Sequence, residues 1–300
     1  MVEVLIQTIL RGIMTGGVYA LVAVGLTLIF GVMDVVNFAH GAYLMLAMYA
    51  SFYVWSFLGL DPFLSILIVT PLFFLFGAVS YYLVIRPIID RSMFAQIFVT
   101  VGLIWVFEHL ALFLFGPSPR RIMGGYGGIG AFGMRFEEVR LYGFVIALIM
   151  VALLFLLLYR TQLGLNIRAT AESPEIAELM GVNINKIYIL TFAIGIALVG
   201  TAAPVVAQLD SAEPTVWTYY VLIAFVVVVL GGLGNVTGAL IAGPIIGVTE
   251  AMTSLYLDPL LGPPIYYVLF FAVLVMRATG QFDELSYTVR TMFSTDKGGI

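Results

Sequence analysis

The chain has 300 residues, of which 62% are hydrophobic and only 10% charged, against roughly a quarter charged in soluble domains, so it reads as a polytopic membrane protein. A net charge of −4 without any basic block argues against nucleic acid as a partner. The absence of cysteine excludes disulfides, thiolate chemistry and cysteine-based metal sites; His40 and His109 are the two histidines, and no cofactor is expected.

Residues 1–8 include Glu3 and no cationic stretch, so the first apolar run is expected to stay in the protein as a span rather than act as a cleaved signal. Crossing a bilayer as a helix takes about 20 apolar residues, because every backbone amide needs an internal partner there. The first such run, residues 9–30, carries Gly12, Gly16 and Ala20 at one-turn spacing. Such a face lets two helix backbones approach closely, within one subunit in preference to between two subunits. Phe30-Gly31-Val32-Met33-Asp34-Val35 then breaks the helical pattern, and VVNFAHG follows. Asn37 is expected to cap the next helix and His40 to hydrogen-bond backbone exposed at the break; lining a translocation pathway is the alternative for both.

Further spans are expected over residues 38–58, 63–85, 94–115 and 141–159, divided by Asp61-Pro62, Arg86-Pro87 and a loop over 116–140. Glu108 and His109 lie inside the fourth span, where neighbouring positions point about 100° apart, so they cannot face one partner. A lone carboxylate at that depth lines a pathway or is satisfied structurally; Glu250, in the eighth span, is the next such residue. Gly125-Tyr126-Gly127-Gly128-Ile129-Gly130 satisfies GxGxxG, but it sits in a loop between two spans rather than in the strand-to-helix turn that would hold a pyrophosphate. Nucleotide binding is rejected there in favour of a flexible external loop with a hairpin, open to a soluble partner.

Residues 159–188 form the long polar interruption of the chain. Ser173 suits an N-cap, Pro174 the first helical position, Glu175 the positive end of the dipole and Gly181 the C′ position. Ile176, Leu179 and Met180 fall on one side of this short helix while Glu175 and Glu178 point elsewhere, offering an apolar stripe to something outside the membrane core. A solvated loop with one helical turn is the competing reading. A clear span over 187–209 follows, and then shorter segments over 216–230, 236–252 and 260–276, interrupted by Gly231-Gly232, Gly234, Pro244 and Pro263-Pro264 in the manner of half-helices lining a cavity. Ala239, Gly243 and Gly247 repeat the small-residue spacing of the first span. Gly231-Gly232-Leu233-Gly234-Asn235-Val236 echoes its terminal break, which makes Asn235 a candidate for stabilising a break or lining a pathway.

The expected fold is therefore all-α, a single polytopic bundle of eight or nine transmembrane segments with broken helices. Eight Lys and Arg fall inside and five outside when residues 159–188 and the tail over 278–300 are cytoplasmic, which also places the N-terminus and the 116–140 loop outside. No GxxxxGK[ST], HExxH or GxSxG occurs, so the chain neither harvests ATP itself nor carries these hydrolytic sites, and no enzyme is expected.

Three segments carry a resemblance: GLTLIFGVMDVVNFAHGAYLM, GLNIRATAESPEIAELMGVNINKIYILTFAIG and GGLGNVTGALIAGPIIG. Together, with NFAHG as the most specific core, the chain resembles the integral-membrane permease subunits of branched-chain amino-acid ABC importers, and within them the smaller member of the permease pair. The resemblance implies a second homologous permease, two cytoplasmic ATP-binding subunits and an extracytoplasmic solute-binding protein as partners, in the cytoplasmic membrane. It also implies that Arg168 to Gly181 is a coupling helix seated in an ATPase groove. Two departures stand out: Arg277-Ala278-Thr279-Gly280-Gln281-Phe282 where relatives commonly read RPTGLFG, followed by a polar tail, and Thr201-Ala202-Ala203-Pro204 in place of a Gly-containing run. A related ABC permease for urea, short amides or sugars, and a stand-alone secondary transporter or channel, are the competing functions.

Overall fold

The computed structural model describes residues 2–131, 134–257 and 262–279. Among them are α1 (Val2–Met33), α2 (His40–Leu58), α3 (Ile66–Ser80), α4 (Met93–Phe115), α5 (Glu138–Arg160), α6 (Gln162–Glu172), α7 (Pro174–Leu179), α8 (Ile184–Leu209), α9 (Trp217–Gly231), α10 (Val236–Tyr256) and α11 (Gly262–Ala278). One antiparallel hairpin, β1 (Gly128–Ala131) and β2 (Met134–Glu137), pairs Gly128 with Glu137 and Ala131 with Met134. Seven helices are long and apolar enough to cross a bilayer, namely α1, α2, α3 with its extension to Ile88, α4, α5, α8 and α10; α9 and α11 are shorter apolar helices. The polar tail lies outside the described residues from 280 onward.

α1 and α8 form the centre, apolar around much of their circumference and buried along most of their length, as a helix enclosed by other helices must be. α3 and α5 pack on this centre and α4 packs on α2, and the three helices turn Leu67, Leu75, Phe94, Phe98, Phe113 and Leu153 outward, the surface that lipid solvates. Thr201 and Pro204, in the departing run, lie wholly inside α8, and Thr201 exchanges a hydroxyl hydrogen bond of 2.9 Å with Thr70 of α3.

The tightest seam joins α1 to α10, which run antiparallel. A Cβ on Gly16 would lie 2.4 Å from the Gly243 carbonyl oxygen and 2.5 Å from Pro244 Cα, and one on Gly247 would lie 2.2 Å from the Gly12 oxygen. The two small-residue faces thus pack on each other within one chain. Pro244 does not divide α10 into half-helices: the helix continues from Val236 to Tyr256, because a span packed this closely on a neighbour tolerates the one amide hydrogen that proline lacks.

The break after α1 is real but differs from a simple turn. Asp34 takes φ +53° and residues 34–37 are non-helical, with Val35, Asn37 and Ala39 fully buried. The chain doubles back beside α1, so α2 begins about three turns up from the end of α1.

At the opposite end, Arg120 and Ala212 exchange backbone hydrogen bonds of 2.9 and 2.7 Å, which fasten the 116–140 loop to the α8–α9 connection. Tyr126 donates to the Asp61 carboxylate, and burial beside Phe63 and Tyr142, reinforced by that hydrogen bond, pushes its phenol above the usual range. Gly128 and Gly130 lie in β1, which pairs with β2 rather than leading directly into a helix, so the stretch is not the strand-to-helix turn that would cradle a phosphate.

Candidate functional site

The α6–α7 excursion is two helices and not one. Thr161 opens α6 by accepting from the Gly164 amide at 3.0 Å, and the chain turns extended at Ser173, with φ −157°. Ser173 Oγ accepts from the Ile176 amide at 3.3 Å and Pro174 occupies the first turn, so α7 starts afresh. Gly181, at φ +87°, closes it: its amide donates to the Glu178 carbonyl at 2.9 Å and the Val182 amide to Ala177 at 3.0 Å. The stretch from Arg168 to Gly181 thus takes in the end of α6 and all of α7, because Ser173 and Pro174 cannot continue α6, and the short helix expected from Ser173 to Gly181 is present.

Ala177, 3% exposed, seats α7 on the body, whereas Ile176, Leu179 and Met180 are 63, 87 and 81% exposed. Glu175 accepts from the Ser173 hydroxyl at 3.2 Å, and Glu178 is exposed beside it. Arg168 turns back on its own chain: Nε donates to the Leu158 carbonyl at 3.0 Å and the guanidinium stacks 4.9 Å from the Tyr159 ring centre, satisfying the end of α5.

The two echoing breaks meet here. A Cβ on Gly31 would come within 2.8 Å of Gly234 Cα, and a crevice of about 580 Å³ beside this contact is lined by Gly31, Asp34, Asn235, Thr170, Pro174 and Tyr188. Asn235 is the N-cap of α10, accepting from the Gly238 amide at 3.0 Å. Helices α6 and α7 thereby share one crevice with the end of α1 and the connection that leads into α10.

Asn37 and His40 lie together, fully buried, away from that crevice. Asn37 is not the cap of α2: its Oδ1 accepts from the Ala39 amide at 3.1 Å inside the non-helical segment, and Ala39 precedes the helix without a side-chain cap. His40 reaches past the break to the Val22 carbonyl within α1 at 2.9 Å. Asn37 Nδ2 and His40 Nδ1 have no hydrogen-bond partner among the described residues. Glu108 is remote from both, accepting from Trp217 Nε1 at 2.9 Å and so tying α4 to the start of α9. His109 is exposed and pairs with the Trp105 carbonyl at 2.9 Å on its own helix.

Sequence reasoning ranked Glu250 second and missed its company. Glu250 Oε2 accepts from Tyr19 at 2.9 Å and Oε1 from Tyr219 at 2.9 Å, on the floor of a cavity of about 610 Å³ that opens at the hairpin end. The available signal was Thr8, Arg11, Thr15 and Tyr19 along one face of an otherwise apolar span, since hydroxyls at that depth require partners.

Seven membrane-length and two shorter apolar helices among the described residues, with a charged cavity among five of them at one end and a capped helix presenting bare apolar side chains at the other, define a polytopic membrane protein. The chain belongs to the family described as the permease component of the branched-chain amino acid transport system, whose model matches residues 8–278. This is a transport family and not a family of enzymes. The chain is 27% identical over 287 residues to the probable branched-chain amino acid transport permease protein LivH of Methanocaldococcus jannaschii, covering 91% of this chain and 89% of that one. It is 30% identical over 295 residues to the high-affinity branched-chain amino acid transport system permease protein BraD of Pseudomonas aeruginosa, covering 92 and 94%. With LivH of Salmonella typhimurium it shares 26% over 294 residues, again covering 92 and 94%. No solved structure matches the chain.

Proposed function

We propose that the chain is the membrane-embedded permease subunit of an ABC importer for branched-chain or other hydrophobic amino acids. The observation that carries this reading is the end-to-end similarity to permeases named for branched-chain amino acid transport, which covers about nine tenths of both chains. The excursion over residues 159–188 faces the cytoplasm, the 116–140 loop and hairpin face outward, and residues 278–300 form a cytoplasmic tail, in the cytoplasmic membrane of the cell. A second, homologous permease completes the pathway, two cytoplasmic ATP-binding subunits drive it, and an extracytoplasmic binding protein delivers the solute.

In this reading α7 is the coupling element. Ile176, Leu179 and Met180 dock on an ATPase; Ser173, Pro174 and Gly181 fix the helix that presents them; Glu175 and Glu178 flank the contact, and Arg168 anchors its base. Motion of α6 and α7 reaches the crevice where Gly31 meets Gly234, and hence the ends of α1 and α10, so the permease pair alternates the side on which it opens. Asn37, His40, Glu108 and Asn235 hold the irregular or polar points along the bundle.

Reconstitution of the whole complex in proteoliposomes tests the reading. Radiolabelled leucine is expected to accumulate only with ATP on the ATPase side and with the loaded binding protein on the other, and unlabelled isoleucine and valine to compete. Uptake by the chain alone driven by an ion gradient would make it a secondary transporter, and uptake of urea, a short amide or a sugar in preference to leucine would overturn the substrate.

A further inference from the structure

The cavity at the hairpin end lies between α1, α5, α8, α9 and α10 and has opposite charges at its two levels. On its floor both oxygens of Glu250 accept from phenols, the hydroxyls of Tyr19 and Tyr219 are 3.0 Å apart, and Tyr266 donates to Tyr219 at 3.4 Å. Both carboxyl oxygens of Glu250 therefore act as acceptors. Among the described residues no Lys, Arg or His forms an ion pair with it. An uncompensated carboxylate inside a span is unfavourable unless something cationic joins it.

The upper level has the complementary groups. Arg140 donates from Nε to Glu137 and from Nη1 to Thr15, both at 2.6 Å, and Arg11 contacts the same Glu137 at 3.2 Å. One carboxylate thus serves two guanidinium groups, and among the described residues donors of Arg140 remain unspent. Asp210 also lines the cavity, with its oxygens engaged by the Ser211 amide at 2.8 Å and Tyr220 at 3.4 Å. Thr15, bound to Arg140, and Tyr19, bound to Glu250, are one turn apart on α1, about 6 Å along its axis. An α-ammonium and an α-carboxylate, each with a hydrogen bond outward, span about one helical turn. Val18, Val206 and Leu209 supply apolar wall for a side chain, and about 610 Å³ suits a small molecule with its water.

We propose that this cavity binds a zwitterionic α-amino acid with an apolar side chain, Glu250 receiving the ammonium and Arg140 the carboxylate. The proposal rests on the transport reading above, which names no residue for the solute. Tyr19 and Tyr219 are positioning residues that fix the Glu250 carboxyl group through their hydrogen bonds, and Thr15 does the same for Arg140.

The chain has no cysteine, so Ala251→Cys, on the cavity wall next to Glu250, provides a single thiol. In the reconstituted complex, labelling by a membrane-impermeant methanethiosulfonate reagent should slow about tenfold in leucine at ten times its dissociation constant, because only the unoccupied fraction reacts. Isoamylamine and 4-methylpentanoate, each lacking one charge, should protect far less. Glu250→Gln and Arg140→Gln should abolish protection, while Thr15→Val, which leaves both charges, should weaken it; co-purification with the partner subunits shows that each variant assembles. Leucine uptake without protection, or protection unchanged in assembled Glu250→Gln, overturns the site and leaves the transport reading standing. Protection by another zwitterionic amino acid in a complex that takes up no leucine leaves the site standing and overturns the branched-chain substrate. Protection by urea or a sugar alone overturns both.

Discussion

Ile176→Asp combined with Leu179→Asp is expected to abolish ATP-driven uptake, by about 100-fold or more, in a chain that still folds and inserts. Both side chains are largely exposed, so replacing them disturbs no core, and surface changes of this kind alter stability by about 0.5 kcal/mol or less. Against an ATPase the same carboxylates would be buried without a counter-charge, at a cost of about 3–5 kcal/mol, which corresponds to a loss of affinity of roughly 100-fold to several thousand-fold. Uptake, stimulated ATPase activity and co-purification should fall together while the melting temperature of the isolated permease stays unchanged. Normal uptake by the double variant would remove α7 from the coupling path.

Gly16→Val is expected to be the most damaging single change in the membrane interior. Its Cβ would overlap backbone of Gly243 and Pro244, which has no rotamer to adjust, so α1 and α10 must separate along their whole seam. Overpacking alone costs about 1–3 kcal/mol, and the loss of close backbone contact adds to it because lipid provides no hydrophobic drive to hold helices together. Gly102→Val in α4 is the control, since nothing lies within 4 Å of a Cβ there. Size-exclusion profiles and thermal denaturation in detergent should show loss of the folded monodisperse species for Gly16→Val and near-native behaviour for Gly102→Val. Equal stability of the two variants would contradict the packing described for α1.

Much of this architecture was legible because lipid imposes strong rules. Apolar runs located all nine segments, glycines and alanines at one-turn spacing marked the α1 and α10 faces, and Ser173, Pro174 and Gly181 delimited α7 through capping chemistry alone. What failed was whatever depends on three-dimensional convergence. Asn37 was expected to cap α2, but the buried non-helical segment takes its side chain for an internal turn at Ala39, so the helix starts three residues later than Asn37. Pro244 was expected to mark a break, yet packing on Gly16 keeps α10 continuous. Arg168 was grouped with the docking residues, although its charge is directed to the Leu158 carbonyl and the Tyr159 ring. The Tyr19, Tyr219 and Glu250 cluster assembles from α1, α9 and α10, residues 231 positions apart at the extreme, and no local pattern announces it. The echo between the ends of α1 and α9 gained meaning only when Gly31 and Gly234 were found in contact.

A single cysteine at Leu179, in a chain that has none, tests most directly whether α7 is where ATP hydrolysis is felt. In the assembled importer, L179C joined to a short thiol-to-amine crosslinker should link to an ATP-binding subunit, and its labelling by maleimide should be suppressed relative to the isolated permease. A thiol that stays unlinked in the assembled complex and reacts as fast as in the isolated permease, with and without nucleotide, would show that the exposed stripe of Ile176, Leu179 and Met180 meets no ATPase.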